Sequence, residues 1–467
     1  MFRGFCLLLC TASGRGTRLP RADGGRVPAL RAHVQSLCNL SMPSISSILA
    51  RCVAPVIVAL LSSLLPLSAQ QHVRVFDPYI KTIQVVANDD TNAPTVIRLG
   101  SDERVELSFD QLSHQYHRYK YILTHCNSDW SPSNLPESDY MDGFNDNVIE
   151  EYATSLNTTM LYTHYSLTLP NDEVSLKLSG NYLVTVYDDD EGDPTRPVFE
   201  AGFCVLEPRV SVSATVSTNT EIDNNRSHQQ VSFSISHGGY TIRNPQTEVK
   251  AYVYQNNRED NRVGNLRPSF IGTDRLAYEH NHSLIFPAGN EYRRFEMVNN
   301  NSVAMGIEDV SYLDPYYHAT LAFDGFRTNN YLYDQDQNGR FVVRYDEALE
   351  QEVEADYYFV HFTLDGSQPL PGDFYLQGAF TYDALDESTR LTYDPRRQVY
   401  ECVQLLKQGA YNYQYLYVPS GGNRAYTATA EGDFYQTENE YLILVYHRPF
   451  GGRYDKLVGM QRVKING

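Results

Sequence analysis

Strict alternation of apolar and polar residues recurs along most of this chain, as in Val105, Leu107 and Phe109, in Tyr119, Tyr121 and Leu123, and in Val210, Val212, Ala214 and Val216. It returns in Val231, Phe233 and Ile235, and in Tyr358, Val360, Phe362 and Leu364. A period of two places successive members on one face of an extended strand, a set that no helix can bury on one side. Gly, Asn, Asp and Pro clusters break the runs at residues 188–194, 237–239, 299–301 and 420–423, where antiparallel strands would turn. No long window carries a helical stripe, although Val148, Ile149, Tyr152 and Leu156 could form a short helix. The fold class expected is all-β: tandem antiparallel β-sandwich domains, the C-terminal one immunoglobulin-like.

At 467 residues the chain exceeds what one hydrophobic core usually organises. Residues 1–41 are rich in Arg and Gly, and a second methionine, Met42, opens a segment in which Arg51 precedes an apolar run, residues 52–67, that ends at Ser68-Ala69-Gln70. That order is the layout of a signal peptide, so residues 1–69 are expected to be a spurious extension plus a leader, with Gln70 or Gln71 the first mature residue. The apolar run is short and holds Pro55, which argues against a retained membrane anchor, and no comparable run follows. Seams at Glu207-Pro208-Arg209 and at the acidic stretch 347–356 divide the remainder into expected domains at 70–207, 208–350 and 351–467, the stretch itself reading as a linker. Strands of the last are expected near 359–364, 373–377, 399–405, 411–417 and 441–446.

The leader holds seven Arg and one Asp, so its removal takes the formal net charge from −19 to −25. A surface that acidic repels nucleic acid and anionic lipid. Of seven cysteines, Cys126, Cys204 and Cys402 remain after cleavage. Cys126 and Cys204 could bridge, but buried thiols are favoured because free Cys commonly behaves as a small core residue.

Asp334, Asp336, Asn338 and Gly339 occupy the first, third, fifth and sixth positions of a calcium loop, yet the twelfth position is Tyr345 where a bidentate Glu belongs. A turn between Tyr331–Tyr333 and Phe341–Val343 is the favoured reading. His125, Cys126 and Asp129 mimic a nucleophile with its base, but neighbours on a strand point to opposite faces. No motif of an activated nucleophile, metal helix or phosphate loop accompanies them, so no enzyme, cofactor or metal is expected. Tyr411, Tyr413, Tyr415 and Tyr417 read as a same-face strand ladder, with a sugar platform as the functional alternative. Arg258, Arg293 and Arg294 could hold loops in a charge-assisted network or lie at a partner interface. The same choice applies to the Gly-rich stretch carrying Arg448, Phe450, Arg453 and Tyr454.

Several segments together resemble the type IX secretion system plug protein family, a periplasmic family of the Bacteroidetes lineage. They are Phe76-Asp77-Pro78-Tyr79-Ile80-Lys81-Thr82, His125-Cys126-Asn127-Ser128-Asp129-Trp130-Ser131-Pro132, Asp142-Gly143-Phe144, Tyr162-Thr163-His164-Tyr165, Gly180-Asn181-Tyr182, Gln255-Asn256-Asn257-Arg258-Glu259-Asp260-Asn261, Gly289-Asn290-Glu291-Tyr292-Arg293-Arg294-Phe295 and Arg448-Pro449-Phe450-Gly451. The resemblance implies a non-catalytic subunit in the periplasm, peripheral to the outer membrane. Its implied partner is the outer-membrane β-barrel translocon, whose periplasmic opening it would bind and close. The alternatives are a carbohydrate-binding β-sandwich protein and a secreted cargo or adhesin, the latter without an independent sign of a sorting domain after Val458. The extra 41 residues before Met42 and the odd thiol total depart from the usual family form.

Overall fold

The structure is a computed structural model that describes residues 73–190, 196–300 and 303–465, all within one compact unit. The leader and its cleavage region lie outside the described residues. Nearly all regular structure is strand, as the alternation requires, with single helical turns at Glu137–Tyr140, Pro245–Glu248 and Gln351–Glu354. Among the described residues no helix is long and apolar enough to cross a membrane.

The first sandwich sets a sheet running Val73–Val75, Pro197–Leu206, Gly180–Asp188, Tyr119–Cys126 and Asn147–Val148 against one running Ile80–Ala87, Val105–Gln111, Thr163–Leu169 and Glu151–Thr154. Alternate residues of both sheets, such as Phe109, Tyr165, Leu123, Tyr182 and Phe199, fill the space between them. The short helix expected around residues 148–156 is replaced by the strands Asn147–Val148 and Glu151–Thr154. Edge pairing with Lys120–Tyr121 and with Thr163–Ser166 outcompetes the local helical spacing there.

Strand pairing departs from the division expected at residue 350. The strand Glu440–His447 lies where the C-terminal unit was expected to keep it, but it pairs with Val249–Gln255 and with Lys456–Lys464. These strands form one face of the second sandwich, opposite Ser211–Ser217, His228–Ser236 and Arg275–Tyr278, and the shared core takes in Val231, Phe233, Ala251, Val253, Ile443 and Val445. Between its two chain segments sits the third, immunoglobulin-like sandwich. There Ile307–Leu313, Tyr316–Leu321, Tyr357–Asp365, Val399–Lys407 and Thr392–Asp394 face a layer built around Gly409–Pro419, which pairs with Arg293–Met297, Phe341–Val343 and Gly372–Gln377. Phe295, Phe362, Phe374 and Tyr411 therefore belong to one core although they flank the expected boundary. Most pairs are antiparallel; Pro197–Leu206 with Val96–Arg98, and Tyr316–Leu321 with Tyr357–Asp365, run parallel.

The acidic stretch expected to be a linker is instead a packed joint. Val353, Ala355 and Asp356 are buried, Leu156 donates its N–H to Val353 O at 2.8 Å, and Asp356 accepts from the backbone of Thr159 and Met160 at 2.7 and 3.1 Å.

Candidate functional site

The His125–Pro132 segment leaves its strand through a tight turn in which Trp130 takes a positive φ of 64° and donates its N–H to Asn127 O at 2.9 Å. This presents the Ser128 N–H and hydroxyl to Asp455, at 3.0 and 2.8 Å. Asp455 also accepts from Lys250 Nζ at 2.9 Å and from Arg448 Nε at 2.8 Å. Burial pushes the Asp455 carboxyl up, but Lys250 and the two Ser128 donors outweigh it and hold it below the usual range. The first and second sandwiches are thus joined by a saturated carboxylate, with Arg448 reaching on to Asn127.

Gly180-Asn181-Tyr182 completes this joint. Asn181 donates to Asn127 O at 2.9 Å and accepts the Tyr446 hydroxyl at 2.7 Å. Gly180 has φ of 141°, and a Cβ there would stand 2.7 Å from His125 Nε2, so no larger residue fits beneath that imidazole. His125 donates from Nε2 to Ser179 O at 3.2 Å and takes the Ser133 hydroxyl on Nδ1 at 2.9 Å. Burial lowers its pKa to about 4, and burial raises the Cys126 thiol to about 12. A neutral imidazole committed to other partners beside an inert thiol is a structural pair, not an activated nucleophile. Cys126, Cys204 and Cys402 are all buried free thiols.

A second joint ties the first sandwich to the third. Lys407 Nζ, 1% exposed, donates to Asp110 Oδ2 at 2.7 Å and to Glu352 O at 2.6 Å, and stands 4.2 Å from the centre of the Tyr162 ring. Asp110 also contacts His164 Nδ1 at 2.6 Å and accepts the Tyr357 hydroxyl at 2.7 Å. Thr82 meets the same Tyr357 hydroxyl at 2.6 Å. Burial would raise the Asp110 carboxyl, but Lys407 and His164 bring it below its usual range.

The third joint accounts for Arg258. Its guanidinium, buried, forms a two-point pair with Asp260 at 2.9 and 2.7 Å, and the adjoining Glu259 N–H donates to Asp383 of the third sandwich at 3.2 Å. Asn256 and Asn439 interlock next to it at 2.7 Å. Burial first, and then Asp260, raise Asp383 to about 6.

The heptad at 289–295 is interior. Arg293 binds both oxygens of Glu431 at 3.1 and 3.2 Å, Asp324 at 2.6 Å and Gly325 O at 2.8 Å. Arg327 supplies a second cation to Glu431 at 2.6 Å. Burial pushes the Glu431 carboxyl up, yet the two guanidiniums hold it below the usual range. Asp324 also takes the hydroxyls of Tyr413 and Tyr415, both at 2.8 Å. Tyr411, Tyr413 and Tyr415 are core side chains and Tyr417 packs against them, so the ladder offers no open sugar platform. Glu291 accepts the Tyr331 hydroxyl at 2.6 Å and the Glu438 N–H at 3.1 Å, and burial raises it to about 7.

Arg294 pairs with Asp334 through Nε at 3.2 Å, while Asp336 takes the Asn338 N–H at 2.8 Å and the Tyr292 N–H. Gly339 has φ of 84°, and a Cβ there would come within 2.7 Å of the Tyr292 ring. The loop is a turn fastened to the heptad, its carboxylates engaged by protein donors. Phe341–Val343 is a strand as expected, whereas Tyr331–Tyr333 forms none.

Of the expected interface residues, the terminal loop alone reaches well into solvent. Phe450 is 94% exposed. Arg453 pairs with Asp139 with its side chain 66% exposed, and Tyr454 packs edge-on against His125 with ring centres 5.2 Å apart. Sequence reading missed Asp110, Lys407, Glu431 and Asp455 as buried charges; a lone charged residue, in a strand like the first two or in a loop like the last two, carries no local signal of a partner a hundred or more residues away.

The family model for the first domain of the type 9 secretion system plug protein matches residues 80–207, the stretch that forms the first sandwich. The crystal structure of a hypothetical protein from Parabacteroides merdae is 45% identical, with a TM-score of 0.83, over 85% of this chain and 99% of that one. No curated protein matches. By the match of its first domain, the chain belongs to the type 9 secretion system plug protein family.

Proposed function

We propose that this chain is a non-catalytic, exported subunit that binds the periplasmic opening of the type 9 secretion outer-membrane barrel and closes it. Family membership supports an envelope role within that system. The observation that carries the mechanism is the locking of three sandwiches by buried charges at Asp455 and at Asp110–Lys407, and by the Glu259 N–H on Asp383 beside the Arg258–Asp260 pair. A barrel wide enough to pass folded cargo leaks unless its mouth is covered. A cover works sterically if its parts hold their relative positions, and buried ion pairs with complete hydrogen bonding tolerate few alternative arrangements.

In this reading Phe450, Arg453 and Tyr454 form the docking tip, since an exposed aromatic flanked by Arg has the composition of an interface anchor. Arg448 supports that tip from its buried end through Asp455. Arg258 and Arg293 are left out of the contact because their guanidiniums are spent inside. The neutral His125 and the protonated Cys126 favour a role without turnover.

Deleting the gene in a host with this secretion system tests the proposal. The barrel should remain assembled, and large polar compounds should enter the periplasm faster than in the parent. Unchanged permeability, with the barrel present and not otherwise blocked, refutes closure.

A further inference from the structure

A cleft of about 530 Å³ separates the first sandwich from the third, walled on one side by residues 73–76 and 80–82 and on the other by Phe341, Phe380 and Leu406. Runs of consecutive residues border a cavity along a strand's edge, since alternate side chains leave on opposite faces. Val73–Val75 and Ile80–Ala87 are indeed edge strands of the two sheets of the first sandwich. The Phe76 N–H donates to Val198 O at 2.9 Å, so in this antiparallel ladder Arg74 exchanges its bonds with Glu200, and the N–H and C=O of Val73 and Val75 point to the open edge. Among the described residues no hydrogen bond reaches those four groups. The neighbouring edge is partly closed, because the Ile83 N–H donates to the Tyr382 hydroxyl of the third sandwich at 2.8 Å.

The cleft is also cationic, although the chain carries a formal net charge of −19. Arg74 and Lys81 line it. Arg74 meets Glu200 only at 3.7 Å, with its side chain 40% exposed, and no carboxylate of the described residues pairs with Lys81. Burial lowers the Lys81 pKa, and Asp77 opposes that shift. The one acid on the walls, Asp386, is taken by the Ser388 N–H and hydroxyl at 2.8 and 2.6 Å. At the mouth Phe76 is exposed, and Tyr79 stands exposed just beyond it.

We propose that this cleft receives an extended, acidic peptide segment of a partner protein, which adds as a strand to the open edge of Val73–Val75 and sets a carboxylate against Arg74 and Lys81. In strand addition the main chain supplies affinity and the surrounding side chains supply selectivity. Here Val73 and Val75 offer the donors and acceptors, Phe76 and Phe341 the apolar contact, and the two cations the preference for Asp or Glu. The site is separate from the Phe450 tip, which belongs to the second sandwich. It also gives a use to the segment from Phe76 to Thr82, of which the joints take Thr82 alone. The competing accounts are a cleft filled only by water and an edge that pairs with a second copy of this chain.

The test uses the chain from Gln70 onward and two fluorescein-labelled hexapeptides blocked at both ends, one alternating valine with glutamate and the other valine with lysine. Fluorescence anisotropy should show saturable binding of the acidic peptide that weakens as salt rises, with the basic peptide bound more weakly. Val75→Pro removes a cleft-facing N–H and no bond to Pro197–Leu206, a change an edge strand accommodates, and should weaken binding about tenfold. Arg74→Gln with Lys81→Gln should weaken the acidic peptide about threefold or more and narrow its lead over the basic one, and this double variant serves if Val75→Pro does not fold. Phe450→Ala should leave binding unchanged. No saturable binding, equal binding of the two peptides, or parent-like binding by Val75→Pro or by the double variant overturns the assignment. So does a dimer of the free chain in sedimentation that Val75→Pro dissolves, which would give the edge to a second copy.

Discussion

The heptad around Arg293 and the terminal loop around Arg453 have similar chemistry, each bringing Arg and an aromatic residue together beside a glycine, yet they end in opposite environments. Arg293 is enclosed by Glu431, Asp324 and Tyr415, whereas Arg453 sits over Asp139 at the surface with Phe450 standing free nearby. Burial, not residue type, separates a framework arginine from a surface arginine. The terminal loop combines both conditions: Arg448 is fixed to Asp455 and Asn127 at its base, and its tip is left open.

The sharpest way to break this contrast is Arg293→Ala. It strands Glu431 and Asp324 with one guanidinium fewer in a buried site, and loss of one member of a buried ion pair costs about 3–5 kcal/mol. Urea unfolding should show a loss of that order with the slope unchanged; a loss below about 1 kcal/mol would place Arg293 with the surface arginines.

Lys407→Ala asks whether a joint between sandwiches behaves as the heptad core does. Asp110 keeps His164 and Tyr357, so the expected loss is somewhat smaller, about 2–4 kcal/mol, and protease sensitivity near residues 156–160 should rise as the joint loosens. A stable variant with unchanged cleavage would mean that apolar packing of Tyr162 and Tyr357 suffices.

Glu291→Gln extends the contrast to pH. The Glu291 carboxyl is raised to about 7 from an ordinary value near 4.5. Its contribution is therefore fully present below about pH 4.5 and is lost as pH rises through about 7. Thermal unfolding should show the Gln variant losing less stability than the parent between pH 5 and 8. Parallel profiles would show that Glu291 does not titrate in this window.

Phe450→Ala should have the smallest effect on the fold, within about 0.5 kcal/mol, because an exposed side chain removes little buried area. Retention on the barrel in detergent co-purification should nevertheless fall. Unchanged retention removes the loop tip from the docking surface and leaves closure itself standing.

The segments that carry the family likeness were legible in the sequence, but their purpose was not. Ser128 and Asn181 join the first sandwich to the second, Thr82 and Tyr162 join it to the third while His164 holds the Asp110 that meets Lys407, and Arg258 and Glu259 lie where the second meets the third. Motif residues with an enzymatic or interfacial look thus serve largely to fasten sandwiches together. Arg258 finds Asp260 two residues on, but the others depend on partners such as Asp455, Lys407, Tyr357 or Asp383 that lie far along the chain, where no local window could reveal the pairing.

What the sequence determined by itself is the all-β class and most strand positions, because a period of two commits a segment to a sheet face whatever it later meets. Strands such as Tyr357–Asp365, Val399–Lys407 and Gly409–Pro419 follow directly from it. Which strand pairs with which was decided only in three dimensions. The alternation of Glu440–His447 suits either of two sandwiches, and it joins Val249–Gln255, nearly two hundred residues back, so that the third sandwich becomes an insertion within the second. Periodicity encodes a face to be buried; non-local packing and the cost of leaving a charge unpaired select the partner that buries it.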